Sequence, residues 1–170
     1  MEERKVGLIP HAVVQGAMGP KVYGVLVTDR RSILVLELAS KAGVGGALGG
    51  LVGAAIASAT ETSRAYDYEK APADFLAGIK GSIEIPHSSI ERMRFKSGAL
   101  GNRLSVRYRA SNGKVKKVEA QISPPSAYVK KEKEKGLGGK EVTRKYMKEA
   151  EDVFRRALPI TTTSRVEWSE

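Results

Sequence analysis

Period-two alternation between residues 90 and 122 restricts the fold of this 170-residue chain more than any other feature. In residues 90–96 the cations Arg92, Arg94 and Lys96 alternate with Met93 and Phe95. In residues 102–110 Leu104, Val106 and Tyr108 alternate with Arg103, Arg107 and Arg109. Such a period belongs to strands with one face on a core and one toward water. The short loop at 97–101 folds the two segments into a hairpin. Asn112-Gly113, both tolerant of positive φ, then supplies a tight primed turn into a further strand at 115–122. A chain containing this unit is committed to a sheet with a single covered face.

The remaining strand signals come earlier. Residues 11–17 alternate loosely, Gly19-Pro20 turns, and 22–28 has the β-branched and aromatic content of a strand. Asp29-Arg30-Arg31-Ser32 makes a second turn into the apolar run 33–38, and a short alternating strand at 82–85 precedes Pro86. Seven strands are therefore expected, three before and four after a long insert at 41–81. Pro124-Pro125 ends the sheet. Residues 130–135 read as a solvated charge run, and 140–158 as a helix whose Val142, Tyr146, Met147, Ala150, Val153, Phe154, Ala157 and Leu158 fall on one stripe. That helix is expected to cover an open end of the sheet and to stop at Pro159. Residues 1–158 read as one domain, and 159–170 as a mobile tail without a covering signal.

Inside the insert, residues 43–58 are uncharged and built from small side chains. Gly45, Gly49, Gly53 and Ala57 recur every fourth residue, with Gly46 and Gly50 beside them, so a helix here would carry a smooth groove for another backbone. Too few large aliphatic residues are present for a stable membrane span on its own, and mid-helix glycine costs roughly 0.5–1 kcal/mol relative to alanine. Packing within the protein or a homo-oligomer, contact with a membrane, and a flexible loop all fit the segment. Its glycine spacing matches no phosphate-binding loop.

Net charge is +10, which favours polyanionic partners. There is no cysteine, which excludes disulfides, thiolate metal sites and cysteine nucleophiles. Residues 1–5 do not open a signal peptide, so a cytoplasmic protein is expected. If 97–101 joins a hairpin, Arg92, Arg94, Lys96, Arg103, Arg107 and Arg109 share one sheet face. That face could meet phosphates of nucleic acid or lipid, or serve only to keep the sheet soluble. Phe95 and Tyr108 point away from it, so it lacks a base-stacking platform. The two histidines, His11 and His87, stand apart beside prolines and read as turn or surface residues. With no nucleophile motif and no partnered base, a non-catalytic protein is expected, holding no metal and no cofactor.

Three strands plus four, then one amphipathic helix, is the element order of the pleckstrin-homology (PH) superfold. Residues 23–36, with Thr28-Asp29-Arg30-Arg31 between two apolar strands, resemble the hairpin of GRAM and prokaryotic PH-like domains. Ile85-Pro86-His87-Ser88-Ser89-Ile90 is similar to that family's later turn. The resemblance implies an α+β, mainly β fold: a seven-stranded, strongly bent sheet or partly open barrel, capped by the C-terminal helix. The Gly/Ala-rich insert, expected to be helical, lies between strands 3 and 4. It also implies that the first-to-second, third-to-fourth and sixth-to-seventh connections gather at one end. Lys21, Lys41, Lys80, Lys114, Lys116 and Lys117 would then surround the insert and face an anionic membrane, a peripheral role on its inner face, or a protein partner. Nucleic-acid binding through the arginine face is the alternative.

Overall fold

The computed structural model describes residues 3–17, 19–39, 66–98 and 101–169. The expected groove at 43–58, with Gly45, Gly46, Gly49, Gly50, Gly53 and Ala57, and Lys41 beside it, lies outside the described residues.

Strands β1 (Lys5–Gly16), β2 (Gly19–Thr28) and β3 (Arg31–Ala39) form an antiparallel meander. Helix α1 (Ala73–Ala77) precedes β4 (Ile83–Pro86), which pairs back onto β3. A 3₁₀ turn at His87–Ser89 leads into β5 (Ile90–Gly98), β6 (Gly101–Arg109) and β7 (Val115–Ile122). Helices α2 (Ser126–Glu134), α3 (Gly139–Ala157) and α4 (Ile160–Thr163) follow, and then β8 (Val166–Glu167). The sheet order is β4-β3-β2-β1-β7-β6-β5-β8. All pairs are antiparallel except β5 with β8, so the protein is α+β and dominated by one mixed sheet of 8 strands.

Strand β1 is the joint between the two meanders. Its Ala12, Val13 and Val14 pair with Ile122, Gln121 and Ala120 of β7 while the whole strand pairs with β2. At Pro10-His11 the register slips by one residue and His11 takes φ 67°, a bulge that bends the strand. Beyond the bend the sheet curls on itself. In a flat sheet β4 and β5 would stand about 29 Å apart at ~4.8 Å per strand, yet Ile85 of β4 and Ile90 and Met93 of β5 belong to one buried cluster with Ile9, Val25, Leu104 and Ile122. The curl stays open: the sheet ends at β4 and β8 and does not close into a barrel.

Helix α3 fills the open side. Tyr146, Met147, Ala150, Phe154, Ala157 and Leu158 join the same cluster, with Phe154 edge-on to Phe95 at 5.4 Å. Gly7 lets the helix come this near, because a Cβ there would lie 2.8 Å from a Val153 methyl. The outer face of β2 and β3 is covered too, by the chain returning from the insert: Tyr68 and Leu76 pack on Leu26, Ile33 and Val35. Burial on both faces explains the unbroken apolar run at 25–27.

Two stretches differ from the sequence expectation. Residues 130–135, read as a solvated charge run, lie mostly in α2 and pack on α3, where Glu132 is buried between Lys145 at 2.5 Å and Lys135 at 2.9 Å. Residues 159–169, read as a mobile tail, form α4 and β8. Trp168 stacks on Phe95 at 5.3 Å under the Arg155 guanidinium, and the buried Glu151 carboxylate accepts the Ser169 amide. The sheet consequently has eight strands where seven were expected. Among the described residues no helix is long and apolar enough to cross a membrane.

Candidate anion-binding surfaces

Strand polarity decides which loops share an end. The β1–β2 hairpin closes at Gly16 and Gly19, and β3 ends with Ala39 opposite Lys21. Strand β4 starts at Ile83 opposite Leu34, while β6 and β7 are joined beyond Arg109 and Val115. Because β7 runs antiparallel to β1, all three connections leave the same end of the sheet. They carry Lys21, Lys80, Lys114 and Lys116. Among the described residues none of these four has a carboxylate within 4.0 Å. Lys116 keeps the phase of Val118, Ala120 and Ile122, so it points to the inner side and lines a cleft of about 590 Å³ with Ile83, Tyr108 and Ala110. Lys117 alternates with Lys116 to the outer side, where it is paired with Glu119 at 2.7 Å, and also borders the rim of that cleft.

The arginine stripes do share a face, as the alternation implied. Arg92 stands opposite Arg107, Arg94 opposite Ser105 and Lys96 opposite Arg103. Carboxylates missed in the sequence change what that face can do. Glu167, delivered by β8, accepts Arg92 Nε at 2.8 Å and Arg94 Nε at 2.5 Å, and these hydrogen bonds, Arg94's first, hold its carboxyl down at about 2. Glu91, at a β5 register slip, accepts Arg109 at 2.6 Å and Arg107 at 3.2 Å. Four of the six predicted cations are thus engaged internally, while Lys96 and Arg103 have no carboxylate within 4.0 Å among the described residues. The signal for Glu167 was the alternation of Val166-Glu167-Trp168, too short to read as a strand by itself.

The Thr28-Asp29-Arg30-Arg31 motif is structural. The Thr28 hydroxyl oxygen accepts the Arg31 amide at 3.0 Å and shapes the turn. The Arg31 guanidinium binds Glu3 through Nε at 2.9 Å, Glu84 at 3.1 Å, and Asp74, tying the N-terminal residues, α1 and β4 together. Burial works against the Glu3 charge, but hydrogen bonds from Arg31 and Thr28 prevail and lower its pKa.

His87 lies in a turn, as its sequence context implies, but it is not at the surface. It is 1% exposed, its Nε2 lies 3.1 Å from Ser32 Oγ, and its carbonyl accepts the Thr162 hydroxyl. Burial pushes its pKa down to about 4, although the Asp29 and Glu3 charges pull it upward. Ser32 is 3% exposed, so both members of the pair are buried. His11 sits half-buried at the β1 bulge. Among the described residues no three His, Asp or Glu side chains converge on a point where a metal could sit.

Comparison with family models, with curated proteins and with solved structures returns no match for this chain.

Proposed function

We propose that this protein is a non-catalytic, PH-like binding module that associates with an anionic membrane surface through its lysine-bearing end. The observation that carries the reading is the contrast between two sets of cations. Lys21, Lys80, Lys114 and Lys116 come from three separate connections to one end of the sheet and have no carboxylate partner there among the described residues. The arginines of the sheet face are mostly answered by Glu167 and Glu91. A lysine near an anionic leaflet contributes on the order of 1 kcal/mol, which a prior internal ion pair would diminish. The order β4-β3-β2-β1-β7-β6-β5 followed by a packed C-terminal helix supports the PH-like reading. Strand β3 ends there, and the small residues at 43–58, next in the sequence, would add close contact with the interface or with a second copy.

Co-sedimentation with vesicles, with and without an anionic phospholipid, tests the proposal. The wild type should pellet only with anionic vesicles. Reversing Lys21, Lys80, Lys114 and Lys116 to Glu should weaken partitioning at least about a hundredfold. Replacing residues 43–58 by a polar linker should weaken it further. Failure of the wild type to bind anionic vesicles would overturn the reading and turn the lysine end toward an acidic protein partner. Nucleic-acid binding by the arginine face is the weaker reading, because a strand crossing it would meet the carboxylates of Glu91 and Glu167.

A further inference from the structure

We propose that Lys96 and Arg103, with Arg94, form a separate site for a compact phosphate-bearing ligand of the pyrophosphate or nucleoside polyphosphate class. It lies on the outer face of the β5–β6 hairpin, toward the end of the sheet away from the lysine-bearing connections. The first ground is electrostatic frustration. Lys96 and Arg103 stand directly opposite each other across the hairpin, and like charges in that relation destabilise a sheet. The other cations of the face are each relieved by a carboxylate, Arg92 and Arg94 by Glu167, Arg107 and Arg109 by Glu91, Lys117 by Glu119. Among the described residues Lys96 and Arg103 have no carboxylate within 4.0 Å, and Arg103 feels Glu119, already paired with Lys117, only at longer range, so an external anion would supply the missing contact.

The second ground is space. A cleft of about 830 Å³, partly open to solvent, is lined by Arg94, Lys96 and Arg103 together with Ser97, Gly98 and Trp168, and a smaller one of about 320 Å³ is lined by the same three cations. Both volumes lie in or near the range of small-molecule sites, about 300–1,000 Å³. Gly98 keeps one wall bare, since a Cβ there would meet nothing within 4 Å. Arg94 commits Nε to Glu167, while its terminal guanidinium nitrogens carry no hydrogen bond among the described residues. Guanidinium and ammonium groups together suit the oxygens of a phosphate.

The third ground limits the ligand's length. Glu167 borders the cations on the β8 side and Glu119 on the β7 side, with Glu91 farther along the face. A di- or triphosphate group a few atoms long fits between these carboxylates, with any nucleoside directed outward, whereas a polymer along the strands would run onto them.

Titration calorimetry on the full chain at low salt tests the site, with inorganic pyrophosphate and adenosine triphosphate as probes and a single-stranded oligonucleotide as comparison. One-to-one binding of both probes is expected, weakened roughly tenfold or more by Arg103→Gln and by Lys96→Gln, each of which removes a charge-assisted contact. Both variants should melt no lower than wild type, because the repulsion across the hairpin is gone, so lost binding is not lost folding. Glu167→Gln removes a negative charge from the cavity wall and should tighten binding severalfold. Lys114→Glu and Lys116→Glu should leave probe binding unchanged, which separates this site from the vesicle-binding reading. Absence of binding, binding insensitive to Arg103 and Lys96, or an oligonucleotide bound tighter than pyrophosphate would each overturn it.

Discussion

An alanine at position 24 would place a methyl carbon 2.3 Å from the Tyr68 hydroxyl oxygen and 2.7 Å from its Cζ. Tyr68 is buried and donates to Glu37 at 2.6 Å, so it has little room to withdraw. Gly24→Ala should cost about 1–3 kcal/mol, the usual range for overpacking, readable by urea denaturation. His87 sets a pH dependence. Its pKa is about 4 in the folded protein and 6.5 when exposed, so between these values the unfolded chain binds more protons. Stability is therefore complete above pH 6.5 and falls as pH drops toward 4, by roughly 3 kcal/mol at about 1.4 kcal/mol per pH unit. Denaturation at a series of pH values should show this slope, and His87→Gln should flatten it. Neither residue's role was legible in the sequence. Gly24 reads as an ordinary strand glycine until Tyr68 packs on it, and His87, correctly read as a turn residue, shows nothing of its burial until α4 closes over it.

Among elements, α3 is the one most plainly written in the sequence, because a helical stripe of apolar residues has few alternatives to a core. Phe154, 1% exposed and edge-on to Phe95, sits at the centre of that contact. Phe154→Ala should destabilise the protein by about 3–5 kcal/mol, measured as a shift in the urea midpoint with the slope retained. The strands of the 90–122 unit were equally legible, down to the shared arginine face, since a period of two leaves one register in which both stripes agree. Strand β8 was not. Two residues of strand carry no periodicity, and β8 exists because β5 offers a free edge while Trp168 finds Phe95 and Ser169 finds Glu151.

At the scale of the whole molecule, the charge of +10 is partitioned by topology. Lysines from distant parts of the chain converge at one end, while on the sheet face four arginines share two carboxylates, Glu167 and Glu91, and the face keeps a net positive charge. Vesicle association through exposed lysines should weaken steeply as ionic strength rises from about 0.01 M to 0.15 M, where the Debye length shrinks from roughly 30 Å to 8 Å. The buried Phe154 contact should be nearly indifferent over the same range. Co-sedimentation and thermal melting across one salt series separate the two. Equal sensitivity would mean that salt acts on folding and not on the surface.

The sequence alone determined that the chain is mainly β with a C-terminal helix, where the strands of the second meander lie, and which residues face the core, because these follow from local periodicity and turn chemistry. Tertiary structure alone decided which charges remain available. Glu167 reaches Arg92 and Arg94 from more than 70 positions away, and that pairing depends on a parallel strand whose stability comes from Phe95, Arg155 and Glu151. Charge is a property of the sequence, but free charge depends on which residues meet in space, and short elements meet only where longer ones have built the surface that holds them.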